Sequence, residues 1–191
     1  MHDRCGGMKP SVVLAAIGAA VFLSACSAFQ TGPVGNPAVP QPAHPVELSR
    51  YLGLWYEIGR YDNGFERGCE GVTAEYSLRD DGLIGVRNSC RQGAVDGPLK
   101  VAEGRAKIVK DSGDAKLKVS FFGPFFGDYW VLDRAEDYAW AIVGEPSGRY
   151  LWLLSREPRP SQAMRDRITA RTRELGYDVS MIRSVQQPPA G

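Results

Sequence analysis

From residue 55 to residue 155, apolar and polar positions alternate in short runs separated by turn residues. Val72, Ala74, Tyr76 and Leu78 alternate with Thr73, Glu75, Ser77 and Arg79. A period of two gives a strand one apolar face and one wet face. Asp80-Asp81-Gly82 then leads into an apolar stretch at 83–88, and strand, Asp-Gly turn, strand is the pattern of a hairpin. Ala102, Gly104, Ala106 and Ile108 repeat the alternation, as do Leu117, Val119 and Phe121. Runs at 55–61, 128–132, 140–143 and 150–155 bring the count to eight. Eight consecutive antiparallel strands can close into an up-and-down barrel, which removes exposed edges. Such a barrel is just wide enough for a filled core or one small ligand.

The period then changes. Pro160-Ser161 offers a helix cap, Met164, Ile168 and Leu175 share one face, and Gly176 stops the run. One apolar stripe suits a helix lying on the outside of the barrel. A short final strand is expected at 181–185. The predicted fold class is all-β, an eight-stranded antiparallel up-and-down barrel with one C-terminal α-helix and a short last strand.

The N-terminal quarter has a different pattern. Arg4 and Lys9 precede an apolar run at 12–23, which has the order of a secretory signal. The run is shorter than the roughly 20 residues needed to span a bilayer. Leu23-Ser24-Ala25-Cys26 resembles a bacterial lipobox. The resemblance implies cleavage before Cys26, diacylation of its thiol and acylation of the new amine. Two or more acyl chains anchor stably. Ser27 follows in place of aspartate, and the resemblance then implies the outer membrane. Residues 27–46 hold prolines 33, 37, 40, 42 and 45 and no acidic or basic residue except His44. They read as an extended tether able to reach on the order of 60 Å. The expected organisation is a signal peptide at 1–25, lipidated cysteine and tether at 26–46, domain at 47–187 and tail at 188–191.

Composition narrows the chemistry. The net charge is +1, and removing residues 1–25 takes it to zero, which gives no electrostatic footprint for nucleic acid. The two histidines are His2 and His44, so the domain has none. It cannot carry a Ser-His-Asp triad, a Cys-His pair or a histidine-ligated metal. No catalytic residue, metal or cofactor is expected.

Tyr51 to Ile58, containing Gly53-Leu54-Trp55-Tyr56, resembles the first lipocalin motif. Residues 133–141, with Tyr138 and Trp140, look like a divergent second motif. Leu153-Leu154-Ser155-Arg156 looks like the third. The similarity covers about residues 47–187 and is strongest to the bacterial outer-membrane branch, relatives of apolipoprotein D. It implies that Trp55 plugs the closed end of the barrel and that Arg156 stacks over it, a structural role for Gly53, Trp55 and Arg156. That contact is worth roughly 0.5–2 kcal/mol.

Parity then points to the lumen. With Arg156 inward, Leu154 and Trp152 point inward; with Trp55 inward, so do Glu57 and Gly59. Tyr76, Ala102, Gly104, Ala106, Val119 and Phe121 are expected to face in. The small residues among them leave room for a guest. Tyr76, Phe121, Phe126, Tyr129 and Trp152 are the candidate ligand-binding residues, with Arg87 and Asn88 available to a polar head group. Cys69 and Cys90 flank the hairpin turn in a secreted domain, so a disulfide is expected; the alternative is a reactive thiol, as in the enzymatic lipocalin type.

The expected function is a membrane-anchored binding protein for fatty acids or lysophospholipids, storing or moving membrane lipid in envelope maintenance. The rivals are a structural lipoprotein with a filled barrel and an enzyme that works without histidine.

Overall fold

A computed structural model of the chain describes residues 32–189. A short helix α1 (Leu48–Tyr51) leads into strands β1 (Gly53–Tyr61), β2 (Cys69–Leu78), β3 (Ile84–Gln92) and β4 (Leu99–Ile108). Strands β5 (Lys116–Ser120), β6 (Gly127–Arg134), β7 (Trp140–Gly144) and β8 (Leu151–Ser155) follow. Helix α2 (Gln162–Glu174) and strand β9 (Ile182–Ser184) end the fold. The strands lie in the order β2-β3-β4-β5-β6-β7-β8-β1-β9, and pairing of β1 with β2 closes the sheet into a barrel.

The closure is uneven. β1 pairs with β2 only over Gly53–Tyr56. Beyond a register shift between Glu57 and Gly59, β9 takes the place of β2 beside Gly59–Tyr61. The tail then bonds to β2, with Gly71 N donating to Gln186 O at 2.8 Å. The Gln187 side-chain amide bridges Glu57 O and Val72 O, both at 2.8 Å. Residues 182–187 therefore wedge between two strands that have parted, and satisfy backbone groups that would otherwise lack partners.

The helix follows its sequence signals. Ser161 Oγ accepts from Met164 N at 3.2 Å, Ile168 and Thr172 are buried, and Gly176 takes φ +91° at the C-terminal stop. Ile168, Leu175 and Tyr177 pack with the outward residues Ile58, Tyr61 and Ile142, forming a second core outside the barrel. Cys69 and Cys90 are joined in a disulfide, packed with Val72 and Val185.

The described part of the proline-rich segment is no free tether. Gly35 and Asn36 N–H groups donate to Gly148 O at 3.0 and 3.2 Å. Ala43 N donates to Leu132 O and Val46 N to Gly113 O, both at 2.8 Å. Asn36 is buried and its side chain donates to Leu175 O at 2.9 Å. Proline prevents regular ladders but not lateral packing of extended chain. Residues 32–46 therefore belong to the folded body, which begins well before Glu47. The lipobox lies outside the described residues.

Candidate ligand-binding site

The closed end is built around one tryptophan. Trp55 is fully buried, and its indole N–H donates to Tyr51 O at 2.8 Å. The Arg156 guanidinium lies 3.7 Å from the Trp55 ring centroid. It donates to the carbonyls of Leu54, Arg50, Tyr51 and Leu52 at 2.6–3.1 Å. One cation thus covers an aromatic face and bonds the carbonyls at the C-terminal end of α1 and of Leu54 in β1; positive charge is favoured at a helix C-terminus. Tyr138, from the divergent second motif, lies between Arg50 and Arg134 at 4.4 and 4.3 Å. Its hydroxyl accepts from Glu47 N at 2.8 Å.

Above this plug stand three tyrosines. Tyr76 OH donates to Tyr129 OH at 2.8 Å, and Tyr51 OH and Tyr129 OH share a hydrogen bond of 2.7 Å. Burial pushes the ionisation of all three well above the ordinary tyrosine range. They stay neutral. Three hydroxyl protons and two bonds between them leave one donor over.

Burial of the inward residues changes along the barrel axis. Near the plug, Tyr76, Ile84, Ala106, Leu117, Val143 and Leu154 are buried and form one core. Towards the other end, Ala74, Asn88, Gly104, Val119, Phe121 and Trp152 are only partly buried, and Ala102 is exposed. These share the inward parity of the core residues on their strands. Solvent therefore reaches the inward residues of the upper lumen, while those of the lower lumen are packed together. Ala74 and Ala102 are small, whereas the Phe121 ring covers Gly104, 2.8 Å from where a Cβ would stand.

A buried charged group lies opposite Trp152 in the register. Arg60 is only 1% exposed and donates to Glu57 Oε1 at 2.7 Å. It also donates to the carbonyls of Glu66 and Cys69 at 3.0 and 3.1 Å, which ties down the loop at 62–68. Glu66 accepts from the Trp152 indole N–H at 3.0 Å. Burial, with Glu66 close by, raises the Glu57 carboxyl well above its usual range, and Arg60 opposes the shift. The lip is aromatic: Phe65, Tyr150 and Trp152 have ring centroids 5.6–6.3 Å apart.

The family described as the lipocalin-like domain matches residues 46–187. This chain is a lipocalin. It is 46% identical to outer membrane lipoprotein Blc of Vibrio cholerae serotype O1, over 88% of this chain and 98% of that one. Identity to outer membrane lipoprotein Blc of Escherichia coli K12 is 43%, over 95% of this chain and 99% of the relative. Among solved structures, insecticyanin of the tobacco hornworm shares the fold with a TM-score of 0.62 at 24% identity, covering 78% of this chain and 85% of that one.

Within this lipocalin, the residues expected at a ligand separate into two groups. Tyr76, Phe121, Tyr129 and Trp152 line or pack against the lumenal core. Phe126 does not join them. It lies on the outer wall, with Lys107 Nζ at 4.5 Å and Arg105 Cζ at 5.7 Å from its ring. Both cations alternate with the inward Ala106, so they and Phe126 face out. Gly59 is also corrected: the bulge after Glu57 turns it towards Ile182 and Leu153 in the outer core. The same bulge turns Arg60 into the lumen, opposite Trp152 in the register. Arg87 points outward to Glu103, whereas Asn88 faces in. Sequence reasoning missed Arg60, Glu66, Tyr51 and Tyr150. Ile58 and Tyr61 were the available signal, two outer-core residues three apart on a strand, which an unbroken period of two forbids.

Proposed function

We propose that this lipocalin holds a single-chain lipid, a fatty acid or lysophospholipid, with its alkyl chain in the upper lumen. The observation that carries the reading is the graded burial of inward residues: a packed floor at Tyr51, Tyr76 and Tyr129 under the solvent-reached Ala74, Ala102, Val119, Phe121 and Trp152. Burying alkyl surface there gives about 25 cal/mol per Å². The relatives named as outer membrane lipoproteins, together with the lipobox at Cys26, support attachment to the outer membrane through an acylated cysteine. Storage or transfer of membrane lipid during envelope maintenance fits that address.

The rival structural reading, a filled barrel, describes the lower half only. An enzymatic reading starts from Glu57, the lumenal carboxyl with a raised pKa. Glu57 is buried and committed to Arg60, and no hydroxyl or thiol side chain hydrogen-bonds to it among the described residues. That arrangement suits a structural hydrogen-bonded pair better than proton transfer.

The test is a fluorescent fatty-acid titration of the purified chain, with Trp152→Ala beside it. Saturable binding, weakened at least about tenfold by the loss of roughly 1.4 kcal/mol at Trp152, supports the reading. Absence of saturable binding in the parent chain removes it.

A further inference from the structure

The strapped N-terminal segment fixes where the chain leaves the barrel. Arg149 donates to Gly32 O, and Gly35 and Asn36 bond to Gly148 O. Gly148 and Arg149 belong to the loop between β7 and β8. That loop is at the open end, because β1 starts beside the Trp55–Arg156 plug and neighbouring strands are antiparallel. From there the segment runs down the outer wall, through Ala43 and Val46, to α1 at the closed end. The first described residue, Gly32, is therefore at the mouth. Cys26 precedes it by six residues. Six residues of any conformation span at most about 20 Å.

The same end carries the most exposed aromatic residues of the fold. Phe122 is 83%, Phe125 79% and Phe65 67% exposed. Phe122 and Phe125 belong to the loop between β5 and β6, and Phe65 to the loop between β1 and β2, both at the mouth. Phe65 also touches Tyr150 and Trp152, so the apolar surface continues from the rim into the lumen. Scattered exposed apolar residues need no explanation, but aromatic loop tips gathered at one end mark a contact surface. The loops at the mouth carry Asp62, Glu66, Asp96 and Glu145 against Arg67 and Arg149, so docking rests on apolar contact and not on charge.

We infer that the open rim docks on the bilayer surface, mouth towards the membrane, with Phe122, Phe125 and Phe65 entering the interfacial layer. The inference rests on the reading of Cys26 as the lipid anchor. Length of chain and position of the aromatics then agree: the anchor emerges at the end that the phenylalanines prepare for lipid. In this orientation a lipid passes from the membrane into the upper lumen along Phe65, Tyr150 and Trp152 without crossing water.

The test uses the mature lipidated chain in vesicles of phosphatidylethanolamine and phosphatidylglycerol with brominated acyl chains. Phe125→Trp places a probe at the rim, and Asp80→Trp places one in the exposed turn at the closed end. Quenching is read against the parent, whose own four tryptophans supply the background. Docking predicts several-fold stronger quenching of the added tryptophan at 125 than at 80. It also predicts that Phe122→Ser with Phe125→Ser slows ligand transfer from vesicles several-fold while the Kd for fluorescent fatty acid stays unchanged. Equal quenching at the two positions, stronger quenching at 80, or cross-linked dimers in which a second copy shields position 125 would overturn the orientation. Fatty-acid titration of the same preparations separates the two readings: loss of saturable binding with rim quenching intact counts against lipid storage alone.

Discussion

The two ends of the barrel are made by the same strands and solve opposite problems. At the closed end, β1 pairs directly with β2, Trp55 is wholly buried, and Arg156 bonds to four carbonyls. At the open end the strands part, a charged cluster replaces apolar packing, and the rim exposes phenylalanine. Close packing and satisfied polar groups make the first half stable. The second half gives up that packing to leave space, and compensates with the Cys69–Cys90 bridge, the wedge at 182–187 and Arg60 pinning the loop above it. Stability and binding are thus separated along the barrel axis, so substitutions at one end should leave the other nearly untouched.

The largest expected effect tests the compensation at the open end. Replacing Cys69 and Cys90 by serine together removes a covalent link across a sequence separation of 21 residues, about 3 kcal/mol on the chain-entropy account. Denaturant unfolding measures the loss, and hydrogen exchange should rise at the mouth ends of β2 and β3 but not around Trp55. Uniform loss of protection would merge the two halves into one unit.

A smaller effect is expected at the closed end. Arg156→Ala removes the stacked cation and four carbonyl contacts and should cost about 2 kcal/mol. An unchanged melting temperature would contradict the structural role assigned to Arg156.

The smallest effect concerns pH. The Glu57 carboxyl is raised in the folded state, by burial first and by Glu66 second. The folded chain then holds a proton that the unfolded chain releases from pH of about 4.3 upward. Its contribution is fully present below that value and fades as pH rises through the raised folded pKa. Glu57→Gln should flatten this part of the stability–pH curve. A mutant whose slope matches the parent would mean that Glu57 keeps an ordinary pKa.

The closed end was the legible end. Alternation, the Asp-Gly turn and the tryptophan and arginine motifs are local patterns, and they specify eight strands and their plug. The disulfide was legible too, since only two cysteines remain in the domain. The open end was not, for three separate reasons. A bulge after Glu57 breaks the parity rule, so Gly59 and Arg60 exchange faces. Arg60 and Glu66 are charged, and a charge on a strand or loop reads as solvent-facing unless its partners are known. Phe126 follows a Gly-Pro turn whose path local pattern does not determine, and it ends under Arg105 and Lys107. The segment at 32–46 misled for a related reason: proline density reports extended chain, not distance from the fold, and nothing local marks Gly35, Asn36 and Val46 as buried.

The most direct measurement of the separation is a crossed pair. Unfolding free energy and fluorescent fatty-acid Kd are measured on the parent, Arg156→Ala and Trp152→Ala. Arg156→Ala is expected to lower stability and leave Kd unchanged, while Trp152→Ala raises Kd at least about tenfold with the smaller loss of stability. If both substitutions weaken binding and stability in the same proportion, the barrel works as one body and the division between holding end and binding end is wrong.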